Sequence, residues 1–397
     1  MTVRGLSPAD PLLIVHCFYQ RPGGEDTGYR ADASMLEERG HEVHRLELHN
    51  DEIDGMSRIG AAAKAVWNRE AERAIAQRVR ATGARIVHFH NTFPLLSPAV
   101  YRGARGAGAR VVQTLYNYRL VCPSALLLRD DRPCEACVGR AVPWPAVQHA
   151  CYRGDRRATA VVATMLVTHR LAGTFRRDVD AYIAVSEFVR ERVVRGGLPA
   201  ERVHVKGAHV TADPGVGTHG GGFALYAGRL SEEKGIRVVL DAWRRLPVDV
   251  PLRIVGDGPL AAEVERAAAA DPRIVWDGHR TAAEVAQYMR DAWVLLVPSI
   301  CYDSAPLVLP EAAAAGLPVV GSRIGGIPEG IDEDRSGVLF EPGDAGMLAD
   351  RVAHLHASPD TVCTMRRSAR ARFERQMSAE TAYARLMDIY ALALRSV

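Results

Sequence analysis

The sequence predicts an α/β protein of two domains, each a parallel sheet covered by helices, and three observations carry that prediction. Short β-branched runs recur, each followed by a helix-length segment rich in Ala, Arg and Glu. The runs fall into two series, separated by the Gly-rich, aperiodic stretch 206–222. The 397 residues suffice for two cores at roughly 100–200 residues each. Strands that alternate with helical segments imply a parallel sheet with helices on both faces.

Taken in order, the first series of strands is expected at 12–18, 42–48, 85–90, 110–116 and 181–186, and the second at 223–229, 252–257, 274–278, 293–299 and 317–322. The Gly-rich stretch reads as an interdomain linker, which gives domains at 1–205 and 206–375. Open parallel sheets bind ligands at the carboxyl ends of their strands, so two such domains facing each other are expected to hold a substrate in the cleft between them. No recurring unit of roughly 20–50 residues marks a solenoid.

Composition excludes more than it selects. With 48% hydrophobic and 24% charged residues and a net charge of +3, the profile is that of an ordinary globular protein and gives nucleic-acid binding no support. The apolar start "PLLIV" ends after five residues at His16, too short for the core of a secretory leader, so a cytoplasmic location is expected. The longest apolar run, 158–167, has ten residues between Arg156, Arg157, His169 and Arg170, against about twenty needed to span a bilayer. Around it stand Arg153, Arg176 and Arg177, a surface suited to peripheral contact with anionic lipid or an anionic acceptor. A core helix with solvated ends is the alternative.

The chemistry concentrates in the second half. "ALYAGRLSEEKGIRVV" sets Arg229 and Lys234 on a strand-to-helix turn, with a helix expected from near Glu232. Two cations and free helix amides at such a turn can hold a diphosphate, and a solvated charged loop is the plain alternative. Gly256 and Gly258 end the next strand and permit close approach of a flat ligand. In "VPSICYDSAPLVLPEAAAAG" a strand leads through a loop carrying Asp303, Ser304, Ala305 and Pro306 into a helix that starts near Leu307, contains Glu311 and stops at Gly316. Pro310 lacks an N–H and fits without loss only in the first turn. Asp303 and Glu311 then stand at the carboxyl end of one strand, where acids accept hydroxyl bonds and helix amides face phosphate. A helix N-terminus merely favoured by nearby acids explains the same residues.

The order and combination of "AGRLSEEKG" at 227–235, "GDGP" at 256–259 and the element from Pro298 to Glu329 resemble the retaining GT-B glycosyltransferases of family 4. That resemblance implies a GT-B fold, two Rossmann-like domains around a central cleft, with the segment 376–397 a helix that crosses back to the N-terminal domain. It implies a nucleoside-diphosphate sugar donor, UDP- or GDP-linked, whose diphosphate is bound by Arg229 and Lys234 and whose ribose is bound by Glu311. Gly256 and Arg280 would line the base, the amides of Ala305, Pro306 and Leu307 would hold sugar and phosphate, and Asp303 with Ser304 would meet the donor sugar. Asp303 is one methylene shorter than the Glu usual at its position, and Tyr116 stands where His is usual, beside the donor sugar and the attacking group.

In the first half, Gly23 and Gly24 follow the first strand and precede a helix, where glycine lets backbone close on phosphate or sugar or simply makes a turn. His88 and His90 point the same way at strand spacing, and His90 and Asn91 are expected to line the acceptor side. No catalytic metal is expected, since Arg, Lys and helix amides already neutralise a diphosphate. Four cysteines, Cys122, Cys134, Cys137 and Cys151, form a C-x₁₁-C-x₂-C-x₁₃-C series that fits a structural Zn²⁺ site within an insertion at 122–151. Unligated or paired thiols, and a redox pair, are the alternatives. Cys17 and Cys301 read as small buried hydrophobes.

The function expected is transfer of a sugar to a hydroxyl or amine of an unidentified acceptor. A non-catalytic sugar-nucleotide sensor is the runner-up, motivated by Tyr116 and Asp303, and a sugar-nucleotide epimerase of the same architecture is the third reading.

Overall fold

The computed structural model describes residues 6–20 and 23–395. The chain divides into two compact units. Met1–Leu127, Cys134–Gly207 and Ala382–Val397 form the first, and Leu128–Pro133 with Ala208–Thr381 form the second.

The first unit is built on a six-stranded sheet. Its strands are β1 (Leu12–Phe18), β2 (Val43–His49), β3 (Ile86–Phe89) and β4 (Arg110–Leu115), then, after the hairpin β5 (Leu128–Arg129) and β6 (Arg132–Pro133), β7 (Ala181–Ala184) and β8 (Val203–Val205). The order is β2-β1-β3-β4-β7-β8, and every pair is parallel. β1, β3 and β7 are buried along their whole length, as strands covered on both faces must be. The closing helix Ala379–Arg395 supplies Leu386, Ile389, Tyr390 and Ala393 to the same core as Leu12, Ile14, Tyr29 and Ile86.

The second unit repeats the scheme with β9 (Ala224–Ala227), β10 (Leu252–Val255), β11 (Ile274–Gly278), β12 (Val294–Val297), β13 (Val319–Ser322) and β14 (Gly337–Phe340). The order β11-β10-β9-β12-β13-β14 is wholly parallel. The chain winds outward from β9 through β10 to β11, then returns to β12 on the other side. That reversal opens a crevice beyond the carboxyl ends of β9 and β12. In the first unit the reversal falls between β1 and β3.

Three expectations need correction. The edge strands β8 and β14 are absent from the sequence reading, because a three-residue "VHV" and the short "GVLF" carry too little periodicity to stand out. The segment after Arg229 does not start a helix at Glu232. Glu232–Lys234 is a 3₁₀ turn, Gly235 takes the left-handed conformation at φ 72°, and the α-helix begins at Ile236. The stretch 206–222 is not a free linker either. Gly217, His219 and Gly221 donate backbone bonds to Ala315, Arg290 and Asp291, and a Cβ on Gly217 would come within 2.1 Å of the Arg290 carbonyl. Gly217 and Gly221 serve close packing on the second unit.

The tightest approaches frame the crevice. A Cβ on Gly235 would lie 1.9 Å from the Pro298 carbonyl oxygen, and one on Gly256, at φ 140°, 1.9 Å from that of Gly228. Gly40 also has a positive φ of 78° but open space around it. Gly40→Ala is therefore expected to lower the unfolding free energy by about 1–2 kcal/mol from backbone strain alone. Gly235→Ala adds roughly 1–3 kcal/mol of overpacking. Urea unfolding of both variants checks this, and equal losses would show that Gly235 is tolerated like any turn glycine.

Candidate functional site

The crevice at the β9–β12 reversal is built from strand-end loops bonded to one another. Gly228 N–H donates to Val255 O, Leu230 N–H to Asp257 O, Gly256 N–H to Gly278 O and Ile300 N–H to Glu233 O. The Tyr226 hydroxyl reaches back to Arg229 O at 2.8 Å, and the Trp276 indole N–H donates to Gly256 O. The backbone around Arg229, Lys234 and Gly256 is thus fixed without their side chains.

Those side chains then divide the labour. The Arg229 guanidinium is exposed and has no ion pair among the described residues. Lys234 Nζ sits 2.5 Å from Asp303 Oδ2, and the Ser299 hydroxyl donates to the same oxygen at 3.1 Å. Burial works against the ammonium, but the Asp303 charge and hydrogen bond outweigh it and hold Lys234 above its ordinary range. The Asp303 backbone is pinned too: its carbonyl accepts from Gly326 N–H at 2.7 Å, and its N–H donates to Cys301 O. Leu307 stands at the N-cap of the helix Val308–Ala315, which ends at Gly316 with φ 70°. Glu311 lies in its first turn. Desolvation alone pushes its carboxyl up to about 7, so it is a half-buried acid with no neighbouring cation to hold its charge. Arg280 donates to His279 O at 3.1 Å and lies 4.0 Å from Glu284, and Pro306 is buried while Ser304 and Ala305 are partly exposed.

In the first unit the β1–β3 reversal gathers a buried polar cluster. His90 Nδ1 is 2.9 Å from the Tyr116 hydroxyl, and burial raises that phenol well above its usual range. His90 Nε2 is buried without a hydrogen-bond partner. His88 is engaged through both nitrogens, by Tyr390 at 2.8 Å and Thr114 at 2.7 Å. Lys206 Nζ meets Asp32 Oδ1 at 2.7 Å, both side chains buried. Asp32, His88 and His90 offer ligand atoms within 4.8 Å of one another. Yet Lys206 already supplies a cation there and His88 has no free nitrogen, so the group fits a hydrogen-bonded network. Asn91 does not fit the acceptor-side reading. It is buried, donates to Cys17 O at 2.7 Å and accepts from Phe93 N–H at 3.0 Å, both ends of its amide tying down backbone. Gly23 has an extended φ of −145° and open space around it, so nothing in its surroundings demands glycine. Gly24 begins the helix Gly24–Glu38 and is exposed.

Residues 222–358, which hold the whole crevice of the second unit, match the family model described as glycosyl transferases group 1. That stretch of the second unit is thus similar to a group 1 glycosyltransferase domain. Among curated proteins it is 29% identical, over 53% of its length and 56% of theirs, to the amylovoran biosynthesis glycosyltransferase AmsK of Erwinia amylovora. Such matches span about half the length of the relatives. Among solved structures, Anabaena HepE in complex with UDP superposes with a TM-score of 0.68 at 16% identity, over 95% of this chain and 98% of that one. Sucrose-phosphate synthase of Thermosynechococcus elongatus gives 0.70 at 17% identity over 96% and 98%. At such identity these structures share the fold alone, the two-sheet α/β architecture of GT-B proteins.

Outside the group 1 domain, the structure brings in residues that the sequence reading missed. Glu25, one helical step past Gly24, accepts from Asn117 Nδ2 at 2.5 Å. Burial pushes its carboxyl up against the opposing bonds from Asn117 and Tyr19 and the charge of Arg119. His16 and Asp26 form a buried 2.7 Å pair. One signal for Lys206 was available: among 50 cationic Lys and Arg residues, lysine occurs only at 64, 206 and 234. Two of these three sit in ion pairs with acids that are largely or wholly buried.

Within the group 1 domain, Glu311 carries a pH signature. Its carboxyl is raised to about 7 in the fold from an ordinary 4.5. The folded state therefore holds the proton more tightly, a contribution complete below about pH 4 and lost as pH rises through 7. Glu311→Gln is expected to raise the melting temperature relative to wild type at pH 8 and to leave it nearly unchanged at pH 5. An equal shift at both pH values, read by calorimetry, would show that the carboxyl is not desolvated.

Proposed function

We propose that this chain transfers a sugar from a nucleoside-diphosphate sugar to a hydroxyl or amine of a small-molecule, glycan or lipid acceptor, with retention of configuration. The observation that carries this reading is the pairing at the β9–β12 crevice: an exposed Arg229 and an acid-tethered Lys234 beside a helix whose half-buried Glu311 has no cation. Two vicinal ribose hydroxyls supply the hydrogen-bond donors that an isolated carboxylate needs to stay ionised. A diphosphate brings more negative charge than Asp303, so Lys234 exchanges a carboxylate for phosphate oxygens when donor binds. Asp303 is then released to accept from a hydroxyl of the donor sugar.

As the sugar–phosphate bond breaks, charge develops on the leaving diphosphate, where Arg229, Lys234 and the amides at Ala305–Leu307 stabilise it. The acceptor oxygen bonds to the anomeric carbon on the face the diphosphate leaves, and its proton passes to the leaving phosphate oxygen. Neither Asp303 nor Glu311 serves as a base in this scheme; both grip the donor. UDP as the nucleotide is supported by the HepE complex. In the first unit, exposed Trp144, Val142 and Leu171 in the same Arg-rich region as Arg140 and Arg153 support an amphiphilic, anionic acceptor. No helix among the described residues is long and apolar enough to cross a membrane.

Nucleoside-diphosphate release from a panel of UDP-, GDP- and dTDP-sugars tests the proposal. One donor is expected to be consumed, with Lys234→Ala slowing release by about 10²–10³-fold and Glu311→Ala weakening donor binding. Tight nucleotide binding without release from any donor, across an acceptor screen, would replace the transferase reading with a sugar-nucleotide sensor.

A further inference from the structure

The segment from Cys122 to Arg153 folds without the usual means of support. Its regular structure is the hairpin Leu128–Arg129 and Arg132–Pro133 and the five-residue helix Trp144–Gln148. Six of the nine non-glycine residues with positive φ among the described residues fall here: Ala125, Leu127, Asp130, Asp131, Ala150 and Arg153. The left-handed conformation is unfavourable for side chains such as those of Ala125, Leu127 and Arg153, and a cluster of them persists only where something else fixes the chain.

Apolar burial does not do it. Leu126, Val142 and Trp144 are 49%, 50% and 64% exposed, while Cys122 and Cys137 are 7% and 6% exposed. Of its larger apolar side chains Leu127 alone is fully buried, and Cys134 and Cys151 are half-buried. A short irregular stretch with so small a core needs a covalent or metal staple. None of the four cysteines is joined in a disulfide.

The fold brings the four together. Cys134 N–H donates to Leu127 O at 2.7 Å, and Ala125 N–H to Cys122 O at 2.9 Å, which sets Cys134 against the loop that starts at Cys122. Cys151 is folded back by its N–H onto Ala146 O at 3.0 Å, beside the Pro143 carbonyl that Cys137 Sγ approaches at 3.9 Å. Cys122, Cys134 and Cys151 all lie within electrostatic reach of Cys137. Arg170, within electrostatic reach of Cys137, donates to the carbonyls of Leu120, Arg140 and Ala141, so a fixed cation stands beside the thiols.

We propose that Cys122, Cys134, Cys137 and Cys151 form a tetrahedral structural Zn²⁺ site that staples together 122–127 and 134–151 of the first unit. Thiolate donors select zinc over hard cations, and four protein sulfurs leave no open position for catalysis. Binding replaces four S–H bonds by four Zn–S bonds and releases four protons to solvent, leaving a site of net charge −2 that Arg170 partly offsets. The group with ligand atoms already within 4.8 Å is Asp32, His88 and His90. The sulfurs therefore start further apart than Zn–S bonds of about 2.3 Å require, and rotation about Cα–Cβ draws them in. The metal would fix the chain just beyond β4, where Tyr116, Asn117 and Arg119 leave the sheet, and so hold these side chains without touching substrate.

The test is metal analysis of the full chain, purified under reducing conditions without chelator and reconstituted with Zn²⁺. One zinc per chain is expected, with four thiols protected from a thiol reagent until chelator is added. Co²⁺ in its place is expected to show the sulfur-to-metal charge-transfer and d–d absorption of a tetrahedral thiolate site. Cys137→Ser should lose the metal and Cys363→Ser, at an exposed position, should keep it. Should Cys137→Ser fail to fold, the Co²⁺ spectrum of the wild type still decides. Folded, reduced protein that retains no stoichiometric zinc, or folded metal-free protein with two disulfides among these cysteines, overturns the proposal.

Discussion

In a wholly parallel sheet every strand delivers its chain to the same edge, so the loops that leave that edge must pack against one another or leave the fold open. The second unit meets this constraint with glycines. Gly235 lies against the Pro298 carbonyl and Gly256 against that of Gly228, distances that no side chain permits. These contacts lock the ends of β9, β10 and β12 together. Backbone bonds across the same loops then leave Arg229, Lys234, Asp303 and Glu311 with no structural duty except what they owe each other.

Charge is handled differently in the two units. In the group 1 domain the acid and the cation are separable: Lys234 is a third exposed in its pair with Asp303, and Glu311 has no partner charge. Such a site is balanced but not satisfied, which is the condition of a surface awaiting a charged ligand. In the first unit the pairs close inward. Lys206–Asp32 and His16–Asp26 are each buried within a few per cent of completely, and removing one member would leave the other buried without its main polar contact. Tyr390 extends this network into the closing helix, because its hydroxyl on His88 joins residues 302 positions apart.

How much of this was legible in the sequence depended on whether the determining contacts were local. The ten principal strands, the Gly316 stop and the first-turn placement of Pro310 follow from periodicity and backbone chemistry, which a short window contains. The motif residues of the crevice were legible because the β9–β12 reversal brings together segments that each keep their own strand-end signature. Contacts without a local signature were not legible. Lys206 meets an acid 174 positions away, and Asn91 looks like a free polar group until Cys17 O and Phe93 N–H claim both ends of its amide. The Gly-rich stretch 206–222 misled for a related reason, since glycines needed for close packing and glycines needed for flexibility are the same letter.

The scarcity of lysine suggests why the crevice uses one cation of each kind. Arg229 presents a planar fork in the open, suited to fixed bidentate contact with phosphate. Lys234 is a compact charge with freely rotating donors, able to leave a carboxylate for a phosphate without a change in backbone. An arginine at 234 would fix the fork on Asp303 and resist that exchange. In a chain whose cations are otherwise almost all arginine, the two lysines kept in tight ion pairs stand where a point charge can do what a fork cannot. At Lys206 the pair is sealed and the point charge serves packing, whereas at Lys234 the pair is open and the same chemistry becomes a movable contact.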